Sequence, residues 1–406
     1  MSSHRHQEDI GCLQAETNVR CGCQVRGVLN AAYRGQRGRS LRYKQLDALR
    51  GIAAFTVVLH HLFLAFPGSE AGLKAFDPSS WAHWETWVEY TPLRGFANGR
   101  PAVVLFFVLS GFVLAASLEK QSMSYQGYLI RRFCRIYLPF AIAIAFAVTL
   151  FLLSPAGPIP GLTIWFNTTS WTAAPTPDVI AGHLAMTGRD ADIQLNNVIW
   201  SLVHELRISV LFPFIALFAI WNWRVALGAG ISLWLASQIA GRFVLQGGLL
   251  ASVFDTAGYT LFFAVGAICF HHRQTLATFT NRLNVWVIAC AALCLMSAPA
   301  GAPAAELIYG IASVALIGTA IGHEKAQPLL TCAPLLWLGN VSYSLYLFHL
   351  PLLLFTLRHW YGVVDNRLLV TGIIAISLVV AQLAFWTVER PSDQVGRLLT
   401  RRQAPA

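Results

Sequence analysis

Arg50 and His61 stand eleven residues apart in an apolar run that reads Leu46-Asp47-Ala48-Leu49-Arg50-Gly51 and continues to His60-His61-Leu62. At about 100° per residue, eleven steps return to within roughly 20° of the same helix face. At 1.5 Å per residue the two side chains are about 16 Å apart along the axis. In a membrane-spanning helix this puts a guanidinium near one mouth of the bilayer and an imidazole near its midplane. An ionisable group at that depth marks a functional site by default. A neutral imidazole there could act as general base on a hydroxyl. The plainer alternative is a histidine that satisfies a backbone carbonyl. The in-line arginine favours the chemical reading, and His60, turned about 100° away, is the second choice.

Five further segments carry polar groups into apolar surroundings. Ser110-Gly111, in Phe106-Phe107-Val108-Leu109-Ser110-Gly111-Phe112, is a small-residue step where another backbone can approach. Arg132 and Arg135, three residues apart, share a helix face and could form a fork for phosphate or anchor the chain at a basic surface. His204, Glu205 and Arg207 follow Trp200-Ser201-Leu202. Glu205 could orient an imidazole elsewhere, or the three could pair locally. Ser342, Tyr346 and His349 recur at helical spacing as a polar stripe, which makes His349 a candidate beside His61. Glu389-Arg390-Pro391 reads as a helix terminator with a local charge pair.

The elements that must position these groups are membrane helices. The 406 residues are 56% hydrophobic and 12% charged, where a soluble domain carries about 25% charge. Hydropathy predicts an all-α, polytopic bundle of about ten spans, near 46–66, 101–118, 137–153, 198–220, 225–240, 256–270, 283–298, 305–322, 335–356 and 368–388. The net charge of +10 reflects basic clusters at every second loop rather than nucleic-acid binding, for which no motif is present. That alternation predicts cytoplasmic termini and two long outer loops, 67–100 and 154–197. The Trp-rich loops (Trp165 and Trp171 in the second) suit an interface or a substrate-facing lid. Residues 1–43 read as a disordered cytoplasmic tail, 44–392 as the membrane domain and 393–406 as a short cytoplasmic tail. The eight cysteines fit no disulfide framework and no zinc spacing, so free thiols and no metal are expected. Asn167-Thr168-Thr169 matches a glycosylation acceptor.

Taken in order, these segments resemble the membrane acyltransferase-3 family, in a stand-alone form without a fused esterase domain. The resemblance rests on Leu46–Gly51 with His61, Phe106-Phe107-x-x-Ser110-Gly111, Arg132-x-x-Arg135 with Tyr137 and Pro139, Trp200-Ser201-Leu202-x-x-Glu205, Ser342–Pro351, and Glu389-x-Pro391. It implies a multi-pass enzyme of the inner (plasma) membrane that moves an acyl group, acetyl above all, from acyl-CoA to a hydroxyl of a sugar, polysaccharide or other glycoconjugate. It implies His61 and Arg50 as the essential pair, with Glu205 and His349 as further catalytic candidates. Arg132, Arg135 and Ser110 are the donor-binding candidates, and transfer could need a separate periplasmic partner. Many relatives carry a second acidic residue after the Trp-Ser-Leu, where this chain has His204 before Glu205 and Arg207 after it. A transporter of a polar solute or lipid-linked sugar is the rival reading, since it too would bury charge. It should show matched midplane breaks in paired spans, and no internal repeat is found.

Overall fold

The structure, a computed structural model, describes residues 43–66, 84–120, 124–172, 174–189, 193–243, 247–299, 301 and 304–401. The tail reading for 1–43 lies almost wholly outside them. Among the described residues, eight helices are long and apolar enough to cross a bilayer. They are α1 (Lys44–Ala65), α2 (Gly99–Lys120), α3 (Tyr125–Leu152), then, after the short α4 (Ile164–Thr169) and α5 (Pro177–Leu184), α6 (Trp200–Trp221). After α7 (Trp223–Phe243) come α8 (Gly248–His271), the short α9 (Arg273–Asn281) and α10 (Val285–Met296), α11 (Ala305–Gly322), α12 (Ala333–Trp360) and α13 (Asn366–Ala384), which continues into α14 (Arg390–Arg401). At 1.5 Å per residue, 20 residues already match a 30 Å hydrocarbon core.

Against the about ten spans expected, the described residues carry eight, or nine if one bent pair counts as a span. The segment near 283–298 is α10, twelve residues long, too short to cross alone. It is joined to α9 at a bend of 110°, and the two together make at most a ninth span. The segment near 225–240 is α7, 21 residues with Arg224, Gln238 and Arg242, and it falls outside the set of apolar helices. It packs along α8 instead, through Gly230 against Leu261 and Ser237 against Gly258.

Without water to drive apolar surfaces together, helices in lipid associate through close backbone approach. Two such crossings build the site. Gly51 of α1 meets Gly339 of α12 so closely that a Cβ on Gly51 would stand 2.6 Å from the Gly339 nitrogen. Gly111 of α2 meets α8, where a Cβ would stand 2.2 Å from the Phe263 carbonyl oxygen. Ser110-Gly111 is therefore a packing step, as its composition suggested. Helices α1 and α12 run parallel: Arg50 contacts Ser342, and His61 contacts His349. Phe214, Ile239 and Val379 stay 50%, 57% and 58% exposed, as expected of faces turned to lipid.

The 154–197 segment is not simply an outer lid. Part of it enters the bundle. Arg207, about 10 Å along α6 from its first residue, donates through Nη2 to the carbonyls of Thr187 (2.7 Å) and Met186 (3.3 Å). Its Nη1 binds the Ser252 and Thr256 hydroxyls of α8. Asn196 Nδ2 donates to Leu347 O in the middle of α12 at 2.9 Å. Irregular backbone at membrane depth survives only where protein satisfies it, and Arg207 supplies that satisfaction. The side chain of Asn167 is consumed similarly, accepting from Ile159 N and donating to the Ile159, Leu162 and Thr163 carbonyls. An amide so engaged is a poor glycosylation acceptor.

Glu389-Arg390-Pro391 does not end the last helix. A π-helical turn over Phe385–Glu389 precedes α14. Its i→i+5 spacing lets the helix continue past a residue with no N–H. Residues of the expected C-terminal tail are thus helical to Arg401. Gly396 packs beside Cys134 and Arg131 of α3, and Arg131 Nε donates to Thr400 Oγ1 at 2.8 Å. The described chain begins and ends at the same end of the bundle, where Arg131, Arg132 and Arg135 also lie. Among the described residues, Cys134, Cys269, Cys290, Cys294 and Cys332 are free thiols.

Candidate active site

The basic end holds a cavity of about 100 Å³ between α1, α2, α3, α6 and α12. Arg50, Arg132 and Arg135 line it, with Asp47, Glu205 and Ser342. Each cation arrives from a different local arrangement. Arg50 Nε donates to Ser342 Oγ at 3.0 Å, and its Nη2 reaches Asp47 Oδ1 one turn back at 3.1 Å and the Gly339 carbonyl at 3.3 Å. Arg132 Nη2 is fixed by Glu205 Oε1 and Ser209 Oγ, both at 2.9 Å. Ser110 Oγ donates to the same Glu205 oxygen at 3.2 Å. Arg135, one turn on, makes no hydrogen bond or ion pair among the described residues. Three guanidiniums and two carboxylates line the cavity, with Glu389 within electrostatic reach of Arg50 and Arg135, and guanidiniums gathered in this way can take a phosphate.

Glu205 therefore orients a guanidinium, not an imidazole. Nor do His204, Glu205 and Arg207 pair locally. His204 Nδ1 contacts Thr256 Oγ1 at 2.8 Å, and Arg207 serves the entering loop. Glu389 accepts from Ser344 Oγ at 2.8 Å rather than pairing with Arg390. Ser110, expected on the donor side, lines the cavity and steadies Glu205.

His61 and His349 come together, which their 288-residue separation did not reveal. His349 Nε2 stands 3.1 Å from His61 Nδ1. His349 Nδ1 faces the Leu345 carbonyl at 2.9 Å, and His61 Nδ1 faces the Val57 carbonyl at 2.9 Å. Carbonyls only accept, so each Nδ1 is assigned its proton. The bare His349 Nε2 then accepts from His61 Nδ1–H, which it shares with Val57 O. That assignment leaves the lone pair of His61 on Nε2, the nitrogen that makes no hydrogen bond among the described residues. A neutral imidazole with its tautomer fixed from behind is a competent general base. His60 is spoken for: its Nδ1 contacts the Ala97 carbonyl at 2.9 Å.

The histidine pair does not line the cavity. Tyr346 does, and its ring lies 6.3 Å from that of His349. The Tyr346 hydroxyl donates to Val198 O at 2.8 Å and is bonded to Ser201 Oγ at 2.7 Å. The Trp200-Ser201-Leu202 segment is thereby locked to the stripe on α12.

A family model described as an acyltransferase domain matches residues 43–386. The chain belongs to the acyltransferase-3 family. It is similar to an O-acetyltransferase (PaAT-1) of the fungus Phomopsis amygdali, 26% identical over 385 residues that cover 78% of this chain and 73% of that protein. No solved structure matches it. This acyltransferase-3 protein is thus a membrane-embedded O-acyltransferase. Among its described residues, no group of three His, Cys, Asp or Glu side chains is arranged to hold a metal ion.

One polar cluster of this acyltransferase escaped the sequence reading. Arg100 at the start of α2 donates through Nε to Glu306 Oε1 at 2.9 Å and through Nη2 to the Tyr259 hydroxyl at 2.6 Å. Trp234 Nε1 donates to Glu306 Oε2 at 2.8 Å. Arg100 and Glu306 are 206 residues apart, each at the edge of an apolar run, and no local spacing links them. The cluster ties α2, α7, α8 and α11 together at the end remote from the arginine cavity.

Proposed function

We propose that the protein transfers an acyl group, acetyl above all, from acyl-CoA to a hydroxyl of a sugar or other glycoconjugate, with His61 as general base. The observation that carries this reading is the fixed imidazole pair set beyond a cavity rich in guanidinium. Arg132 and Arg135 hold donor phosphates, and Arg50, about 16 Å below His61, positions the donor rather than the reacting carbonyl. Direct stabilisation of an oxyanion needs a donor at about 3 Å. The acyl end passes Phe106 and Tyr346 toward the histidines. His61 Nε2 takes the acceptor hydroxyl proton as the oxygen attacks the thioester carbonyl. The tetrahedral intermediate collapses, the C–S bond breaks, and the departing thiolate recovers that proton from His61. His349 holds the Nδ1–H of His61 throughout.

The arginine-lined end faces the cytoplasm in this reading, consistent with the positive-inside rule, and the membrane is the inner (plasma) membrane. The test is acetyl transfer by the purified protein in liposomes, with labelled acetyl-CoA and envelope carbohydrate. Label entering hydroxyl esters with equimolar release of coenzyme A thiol is the expected result. Carbohydrate moving across the bilayer with no thioester loss would overturn it in favour of transport. In the same assay Arg132→Ala should raise the KM for acetyl-CoA by about 10–100-fold, the worth of one or two charge-assisted hydrogen bonds. Glu205→Gln, which frees the guanidinium from its anchor, should move the same parameter in the same direction.

A further inference from the structure

Helix α4 is six residues long, yet it is fastened to the catalytic helix at several points. Its cap residue Thr163 donates through Oγ1 to the Leu64 carbonyl at 2.6 Å, and Thr163 N reaches Ala65 O at 3.3 Å. Those carbonyls belong to the last turn of α1, just beyond His61. Thr163 Oγ1 also accepts from Phe166 N at 3.3 Å, and Asn167 ties the turn back to residues 159–163. Fastened this way, α4 carries one large ring to the site. The indole of Trp165 lies with its centroid 5.5 Å from that of His61, at an interplanar angle of 33°.

Trp165 is only partly buried. Its Nε1–H makes no hydrogen bond among the described residues, and it is absent from the sealed, unpartnered polar atoms. The same holds for His61 Nε2. Both unbonded polar atoms therefore reach open space, a proton acceptor on one ring and a donor on the other. A buried indole N–H ordinarily finds a partner within the protein. The arginine cavity approaches the histidines from the opposite direction, past Tyr346, so the Trp165 side is left for the second substrate.

We propose that Trp165 is the acceptor-binding wall of the active site, stacking on the face of a hydroxyl-bearing ring such as a pyranoside while its indole N–H holds a ring substituent and the adjacent hydroxyl meets His61 Nε2. The assignment rests on His61 being the base. It makes the preferred acceptor cyclic, with one apolar C–H face, rather than an open-chain alcohol.

The test uses the full-length protein in liposomes with acetyl-CoA as donor and two acceptor probes, a methyl hexopyranoside and a short acyclic diol. Trp165→Ala is expected to raise KM for the pyranoside by about tenfold, the scale of one lost aromatic contact. KM for the diol and for acetyl-CoA should stay unchanged. Trp165→Phe, which keeps a ring and guards against misfolding, should recover most of the pyranoside affinity. Equal losses on both acceptors, or a variant that newly accepts butanoyl-CoA with unchanged pyranoside KM, would overturn the proposal, the latter placing the ring against the acyl group. A wild-type protein that acetylates neither probe nor envelope carbohydrate would sink this proposal together with the reading on which it rests. Transfer that survives His61→Ala would remove the base and, with it, the role given to Trp165.

Discussion

Replacing His61 with alanine is expected to lower acetyl transfer by about 10²–10⁴-fold, the contribution of a positioned general base. The amount of protein in the membrane should be unchanged, because among the described residues His61 bonds only Val57 of its own helix and His349. His349→Ala should cost less, since it removes the group that fixes the tautomer and not the group that takes the proton. The double variant should be hardly worse than His61→Ala alone, because residues acting as one unit are not additive. Rates measured with labelled acetyl-CoA, normalised to protein in the membrane fraction, check all three. Additive losses would mean that the two histidines act separately, and full activity in His61→Ala would remove it from the chemistry.

Gly51→Leu is expected to prevent accumulation of the folded protein. The added Cβ would lie 2.6 Å from Gly339 N and 2.7 Å from the Leu338 carbonyl carbon. Both are backbone atoms in the second turn of α12, so neither can swing aside as a side chain would. Overpacking of this kind usually costs about 1–3 kcal/mol, and here it also pushes apart the two helices that carry Arg50, His61, Ser342 and His349. Gly228→Ala, on α7 with nothing within 4 Å of the added carbon, is the matched control and should be neutral or slightly stabilising. Detergent-extracted protein, followed by size-exclusion chromatography and a thermal melt, separates the two. A Gly51→Leu protein that melts like wild type would mean that α1 and α12 do not cross at this point.

The legible parts of the site were those written in local spacing. Eleven steps from Arg50 to His61, and three from Arg132 to Arg135, state a shared helix face directly. The polar stripe of Ser342, Tyr346 and His349 was legible for the same reason. What these faces meet was not. Glu205 binds a guanidinium 73 residues away and Ser110 95 residues away, and nothing beside it in sequence distinguishes that partner from a histidine. Gly339 sits in an ordinary apolar run, so the crossing it makes is silent until the helices are assembled. The 154–197 segment has the tryptophan, proline and glycine of an outer loop. Composition does not report that Arg207 pulls part of it inward. Pro391 misleads for a different reason: proline stops a regular α-helix, and a π turn ahead of it removes the conflict.

The parallel crossing of α1 with α12 has a consequence for how the enzyme is made. Once made, α1 waits for a partner whose contacting residues lie 288 to 292 positions later. At about 5–20 residues per second, roughly a quarter of a minute to a minute passes with Arg50 and His61 already inserted. During that interval Arg50 has Asp47 one turn away, a neutralising companion available from the start, whereas His61 has only the carbonyl of Val57. Nascent chains that stop before α12 hold every residue of the arginine cavity except those of α12 itself and have no histidine pair.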